Sequence, residues 1–438
     1  MFYALCRLTG ATRHERYYRY ATTFGADDQI TLLRAIMDHA TRHVPYYRSI
    51  LPAGKDWAAD LCRVPILEKS IIRANFALMK SDEMKQRKWY ENASGGSTGT
   101  PLRIVQDDEY LDWSRASEFY FLRQFLLCEF AEMRKIVLWG SERDVFEGTI
   151  GVRAKVLNWL RQTMYLNAFK LTPEKLAQYA DTINRFKPIF IKAYAGSLYE
   201  VARFAQKRGL KMHRPRVIYS AAETLRPFMR ELIEEVFSCK VHNFYGSREV
   251  GAMAGECSRG KLHVFSFNNF LEVVDSEGRA VKPGEEGRVL VTTLHNLSMP
   301  LIRYDIGDTA VLGSACSCGN RLPTLENVTG RITDHFFLRD GTLVHGEYFT
   351  HLFYFRDWVA EFQVLQREVD LIEIYFVAQG ELVQADRTEI DAKIRMVMGD
   401  SCRVEWNEVA EIPRTPHGKL LFTRSLVDPL SLKLVTQK

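Results

Sequence analysis

RVIYSAAETLRPFMRELIEEVFSCKVHNFYGSREV, residues 216–250, decides the fold class. RVIYSA is an apolar run of strand length, LRPFMRELIEEVF has a helical pattern, and VHNFYG is strand-like again. Strand, helix and strand in that order need crossover connections, and so a largely parallel sheet. The alternation extends upstream. Thr172 and Pro173 open a helix with Leu176, Tyr179, Ala180, Ile183 and Phe186 on one face; Lys187-Pro188 ends it, and IFIKAY follows as a strand. Ser197 and Glu200 have capping-box spacing before an apolar face of Leu198, Val201, Phe204 and Ala205, and Gly209 fits the stop. Loops at the strand ends of such a sheet should carry the chemistry.

The flanks read differently. From Gln29 to Ala40, Ile30, Leu33, Ile36, Met37 and Ala40 predict an amphipathic helix after the capping candidates Asp27 and Asp28. From about His263, short runs such as LEVVD and GRVLVTTL, punctuated by Asp275 to Gly278 and Pro283-Gly284, predict an antiparallel subdomain. After Gly330 come EFQVLQ, LIEIYFVA, a helical stretch around Ile390, Ile394 and Val397, and RVEWNEVAEI. This predicts a small α+β domain of ordinary size, and a division into 1–330 and 331–438.

A chain of 438 residues, 46% apolar and 26% charged, suits a globular protein with one large and one smaller domain. Its net charge of +5 is spread without a basic run, which excludes a nucleic-acid footprint. The start, MFYALCRLTG, lacks the pattern of a signal peptide. The apolar stretch Phe119 to Phe130 is broken by Arg123 and Glu129 and is too short to span a bilayer, so a buried helix is expected there. Eight cysteines in so long a chain point to a reducing compartment, the cytoplasm, and not to a disulfide framework.

Several segments carry chemistry. Ser94-Gly95-Gly96-Ser97-Thr98-Gly99-Thr100-Pro101 has three glycines and four hydroxyls, a composition that lets backbone amides and side-chain donors surround an oxyanion. It lacks the Gly-Lys-Ser/Thr of a P-loop. Tyr245-Gly246-Ser247-Arg248-Glu249 follows a strand and would present Glu249 as a Mg2+ ligand. In PLIRYDIGDTA, an Asp at a tight turn can accept both hydroxyls of a ribose. Cys257, His263, Cys316 and Cys318 have the donor types of a closed tetrahedral Zn2+ site. Singly, each segment would be an ordinary loop or turn.

In order, SGGSTGTP, YGSREVG, PLIRYDIGD, GRITD and PRTPHGK resemble the successive signatures of the adenylate-forming superfamily. HVPYYRSIL, DLCRVPILEKSIIR, SLYEVARFAQKRGL and SAAETLRPFMRELIEEVF resemble phenylacetate-CoA ligases and their capsular-polysaccharide, CapK-like relatives. The resemblance covers nearly the whole chain. It implies an α/β adenylate-forming fold, with a large N-terminal domain bearing an antiparallel subdomain and a small mobile C-terminal α+β domain. It also implies activation of a carboxylic acid by ATP to an acyl-adenylate.

By the same resemblance, Ser94, Gly95, Gly96, Ser97, Thr98, Gly99 and Thr100 would hold the β- and γ-phosphates. Glu223, Gly246 and Ser247 would also contribute to the nucleotide site, Tyr245 would lie against the adenine, and Asp308 would take the ribose hydroxyls. Glu249 would bind Mg2+, Arg331 would touch the ribose from the hinge, and Lys419 would meet the substrate carboxylate and the α-phosphate. Tyr194, Gly196, Ser197 and His242 would line the acid pocket, and the Cys/His set would hold a structural Zn2+. Thr333 stands where the family often has a hinge acid, and FFLRDGTLVHGEYF is closer to the capsular group than to ligases with an evident CoA pattern. The acceptor is therefore either CoA or an amine or hydroxyl group in polysaccharide or natural-product assembly. An alternative from another class is a nucleotide-binding protein without catalysis, against which Lys419 in its intact PRTPHGK context argues.

Overall fold

A computed structural model describes residues 11–52, 55–93, 102–128, 134–140, 162–329, 335–340, 342–353, 356, 358–413 and 421–427. These divide into two units. The first takes the described residues of 11–93, 102–128 and 242–329, and the second those of 134–241 and 335–427.

In the first unit, helices α1 (Ala11–Thr23), α2 (Ala26–His43), α3 (Pro45–Ile50), α4 (Lys69–Ala74) and α5 (Asp108–Tyr120) accompany strands β1 (Trp89–Ala93) and β2 (Arg103–Asp107), an antiparallel ribbon. Its sheet is built from β8 (Val241–Ser247), β9 (Gly251–Glu256), β10 (Leu262–Val264), β11 (Asn269–Val274), β12 (Glu286–Thr293), β13 (Tyr304–Leu312) and β14 (Thr324–Thr329). The order is β11-β12-β13-β14-β10-β9-β8, and every pairing within it is antiparallel, as the sequence predicts for the region after His263. The predicted helix at Gln29 to Ala40 is α2, which buries Leu33, Ile36, Met37 and Ala40. Its cap is Gly25, whose N–H donates to Asp28 Oδ2 at 2.9 Å, so Asp28 acts from inside the first turn. Beyond Tyr120 the backbone widens into a π-turn, Phe121–Phe125, so the buried segment expected at Phe119 to Phe130 is not one uninterrupted α-helix.

The second unit holds a parallel sheet of β4 (Thr163–Asn167), β3 (Lys135–Trp139), β6 (Phe190–Ala193) and β7 (Val217–Ala221), side by side in that order. Helix α6 (Pro173–Phe186) precedes β6, α7 (Ala195–Lys207) is the crossover from β6 to β7, and α8 (Pro227–Phe237) follows β7; the inner strands bury Ile136, Leu138, Ile191, Ala193 and Ile218 in the apolar core. Thr172 caps α6 by accepting the Lys175 N–H at 3.2 Å. Lys187 closes it in the left-handed conformation at φ 51°.

The predicted capping box of α7 is not formed. The helix starts at Ala195 with Tyr194 as its N-cap, and Ser197 lies buried within it.

The same unit contains the C-terminal elements. Strand β16 (Leu343–His345) pairs with β15 (His335–Phe337) on one side and with β5 (Lys170–Leu171) on the other, and leads into α9 (Gly346–His351). Strands β17 (Val359–Glu368), β18 (Leu371–Ala378), β19 (Arg403–Glu408) and β20 (Thr423–Ser425) form a mixed sheet in the order β19-β18-β17-β20, with α10 (Gln384–Met398) between β18 and β19 in the chain. This is the α+β pattern expected after Gly330. One apolar core joins these strands to α6 and α7 through residues such as Phe169, Leu171, Phe336, Phe349 and Ile374.

Candidate active site

In the first unit the site begins at the β8–β9 hairpin. A bulge at Tyr245 and Gly246 turns the strand, and a side chain at Gly246 would place a Cβ 2.8 Å from the Gly251 carbonyl oxygen. Glycine is therefore required there by close backbone approach. Glu249 sits in the turn with 0% exposure. Its carbonyl accepts from Gln106 Nε2 at 3.0 Å, and Gln106 Nε2 also holds the Arg248 carbonyl at 2.8 Å. The Ser247 hydroxyl accepts the Val250 N–H at 3.3 Å. The turn is thus pinned by side-chain bonds to its backbone, leaving little freedom to move Glu249.

The Tyr245 hydroxyl donates to Asp308 Oδ2 at 2.8 Å. This joins two of the motifs that the sequence ranks as nucleotide-binding. Asp308 lies on β13, whose entry is fixed by Arg303. That residue is 2% exposed and adopts φ 49°, and its guanidinium donates to the carbonyls of Cys62 (3.0 Å), Val64 (2.8 Å) and Gly278 (2.9 Å) and pairs with Glu272 at 3.2 Å. Burial raises the Glu272 carboxyl above its usual range, and the charge of Arg303 works against that rise. Between the two aspartates the turn is set by Asp305, which accepts the Gly307 N–H at 2.9 Å and pairs with Arg288 at 3.1 Å. Gly307 takes φ 87°, and Lys69 Nζ donates to the Ile306 carbonyl at 3.3 Å. His242, half-buried on β8, is also in this unit.

In the second unit Tyr194, Gly196, Ser197 and Glu223 gather at the start of α7. The Gly196 N–H donates to Glu223 Oε2 at 2.7 Å, which places a carboxylate at the helix N-terminus, where the backbone dipole favours negative charge. Tyr194 lies 4.3 Å from the Trp139 ring, and the Ser197 hydroxyl donates to the Ala168 carbonyl at 3.4 Å. The other Glu223 oxygen meets Nε2 of His345, a residue that the sequence reading leaves out of the site. A lone His in LVHGEY carries no spacing signal, and only the fold brings it to Glu223.

The four predicted zinc ligands come together. Their ligand atoms all lie within 4.8 Å of one another, with Cys257 Sγ 3.7 Å from Cys316 Sγ and Cys318 Sγ 3.2 Å from His263 Nε2. Burial, with Cys316 and Cys257 crowded alongside, pushes the Cys318 thiol up to about 11. Three thiols and an imidazole converging in this way suit a divalent cation, whose charge favours the thiolate form. Among the described residues His39, His43 and Glu83 also converge, but as half-buried groups with no thiol among them. Ser94 to Pro101, Arg331 and Lys419 lie outside the described residues.

The CapK C-terminal domain family matches residues 336–425. Protein CapK of Staphylococcus aureus is 26% identical over 388 residues, covering 85% of this chain and 82% of that protein. Phenylacetate-coenzyme A ligase of Thermus thermophilus is 23% identical over 424 residues, covering 89% and 93%. Among solved structures, 2-hydroxyisobutyryl-CoA ligase in complex with 2-HIB-AMP and CoA in the thioesterification state superimposes with a TM-score of 0.58 at 18% identity, covering 96% of this chain and 94% of that one. An open conformation of the same ligase gives 0.55, with 91% of each covered. The chain is a relative of CapK and of phenylacetate-coenzyme A ligases, and its fold is that of the adenylate-forming CoA ligases.

Proposed function

We propose that this relative of CapK and the phenylacetate-coenzyme A ligases is an ATP-dependent acid ligase that forms an acyl-adenylate and then a CoA thioester. The observation that carries the reading is the bond from Tyr245 to Asp308 beside the pinned turn of Glu249, because it assembles two widely separated nucleotide motifs. In this reading Tyr245 and Asp308 hold adenosine, with Gly246 and Ser247 contributing from the same unit, while Glu223 and Arg331 carry the nucleotide roles that the resemblance gives them. The residues Ser94 to Thr100 surround the β- and γ-phosphates. Tyr194, Gly196 and Ser197 in the second unit, and His242 in the first, carry the acid-binding roles that the resemblance gives them.

The carboxylate oxygen attacks the α-phosphorus and the bond to pyrophosphate breaks. Attack brings two anions together, and Lys419 lowers that repulsion where charge builds up. Glu249 is the ligand for Mg2+, which when bound neutralises phosphate charge. In the second step a thiol attacks the acyl carbon, its proton is lost and AMP leaves. Cys257, His263, Cys316 and Cys318 hold a structural Zn2+ that ties the β9–β10 hairpin to the loop before β14.

A second reading, transfer of the acyl group to an amine or hydroxyl, is motivated by the sequence FFLRDGTLVHGEYF, which is closer to the capsular group than to ligases with an evident CoA pattern. One experiment separates the two. Pyrophosphate release is measured across aryl, fatty and amino acids, with and without CoA or amines. Thioester accumulation supports the first reading, and a product made only with an amine or hydroxyl acceptor supports the second. Lys419→Ala should abolish acid-dependent ATP turnover; unchanged turnover would remove Lys419 from the mechanism.

A further inference from the structure

His345 has no part in the reaction just described, yet its side chain is 0% exposed and it stands among the residues assigned to the acid and the nucleotide. It ends β16 and caps α9, its Nδ1 accepting the Glu347 N–H at 3.1 Å. Its backbone N–H donates to the Phe169 carbonyl at 2.9 Å, and its ring lies 5.0 Å from that of Tyr194.

These contacts fix the tautomer. A nitrogen that accepts a bond from a backbone amide carries no proton, so the proton of the neutral ring is on Nε2, directed at Glu223. The second oxygen of that carboxylate accepts the Gly196 N–H in the first turn of α7. With both ring nitrogens engaged, the imidazole has no lone pair to offer a substrate. It is therefore placed to orient a neighbour and not to serve as a general base.

We propose that His345 is a positioning residue, which orients the Glu223 carboxylate and through it the first turn of α7 that carries Gly196 and Ser197. The second unit's group of Tyr194, Gly196, Ser197 and Glu223 is then completed by a residue from the segment that matches the CapK C-terminal domain. The Gly196 N–H engages one oxygen of this carboxylate and the imidazole engages the other, so the two bonds together set its orientation. The proposal rests on the assignment of Glu223, Gly196 and Ser197 given above.

His345→Phe keeps the ring and removes both bonds, while His345→Gln can restore a donor toward Glu223. Michaelis constants for acid and ATP are measured by pyrophosphate exchange, and hydrogen exchange is followed in the peptide spanning Tyr194 to Glu200. The Phe variant should raise at least one Michaelis constant tenfold or more and speed exchange at Gly196. The Gln variant should return both readings to within about threefold of the parent. Equal behaviour of the two variants, or unchanged exchange at Gly196 in His345→Phe, would overturn the idea. If His345→Phe does not fold, Glu223→Gln takes its place, with faster exchange at Gly196 expected and unchanged exchange counting against the proposal. A parent protein that turns over no acid sinks the ligase reading, while hydrogen exchange still decides the role of His345.

Discussion

The phenol of Tyr245 and the carboxylate of Asp308 are bonded at 2.8 Å across two strands that are not neighbours in the sheet, β8 and β13. A hydrogen bond to a charged group is worth about 1.5–3 kcal/mol, and each 1.4 kcal/mol is about tenfold in affinity. Tyr245→Phe keeps the ring proposed to lie against adenine and removes the bond to Asp308. The Michaelis constant for ATP should rise about tenfold with the turnover number little changed. Pyrophosphate exchange at varied ATP checks this, and an unaltered constant would mean that the pair does not order the nucleotide site.

Arg303 fixes the entry to β13, the strand that carries Asp308. Arg303→Met strips the bonds to three carbonyls and leaves Glu272 buried beside an apolar side chain. Removing one partner of a buried pair costs about 3–5 kcal/mol, more than removing both. Chemical denaturation should show a loss of that size, with part of it recovered in Arg303→Met/Glu272→Met. If the double variant were the less stable of the two, the penalty would not come from the stranded carboxylate.

What the sequence reveals of this molecule depends on how local the controlling interaction is. Helix α6 was legible because Thr172, its cap, and the apolar face from Leu176 to Ile183 lie within a few turns of each other. Helix α7 was misread at its start because its first turn is satisfied by Glu223, from 27 residues downstream, and not by a capping box. The Tyr245 and Asp308 motifs could be ranked from their order in the chain, but the bond between them needed the sheet. The four zinc-type ligands were visible because three thiols and an imidazole share one subdomain. His345 was missed for the opposite reason: a single imidazole is chemically ambiguous until its neighbours are known.

The Cys/His cluster predicts metal content directly. Purified protein should carry close to one zinc per chain by elemental analysis, and chelation should lower its melting temperature. Structural zinc in small peptides contributes about 10 kcal/mol or more, so even a fraction of that in this chain gives a clear shift. Cys316→Ser should lose the metal and melt earlier. Full zinc content in that variant would exclude Cys316 as a ligand.

His295 makes stability depend on pH in one direction. Its ring stacks on Trp113 at 4.0 Å, its Nε2 donates to the Phe267 carbonyl at 2.8 Å, and burial lowers its pKa from 6.5 to about 4. Once unfolded, the same ring takes a proton near its ordinary value. Between pH 6.5 and 4 the unfolded chain therefore binds more protons than the folded one, and stability falls as the pH falls. Above that window the contribution is constant, and across it the loss comes to about 3 kcal/mol. His295→Phe keeps an aromatic ring on Trp113, deprives the Phe267 carbonyl of its donor, and cannot titrate. The variant should be the less stable at neutral pH, and the gap to the parent should close by about 3 kcal/mol as the pH is lowered to 4. Denaturation curves at four or five pH values read this out, and parallel curves for the two proteins would show that the ring is not held neutral by burial.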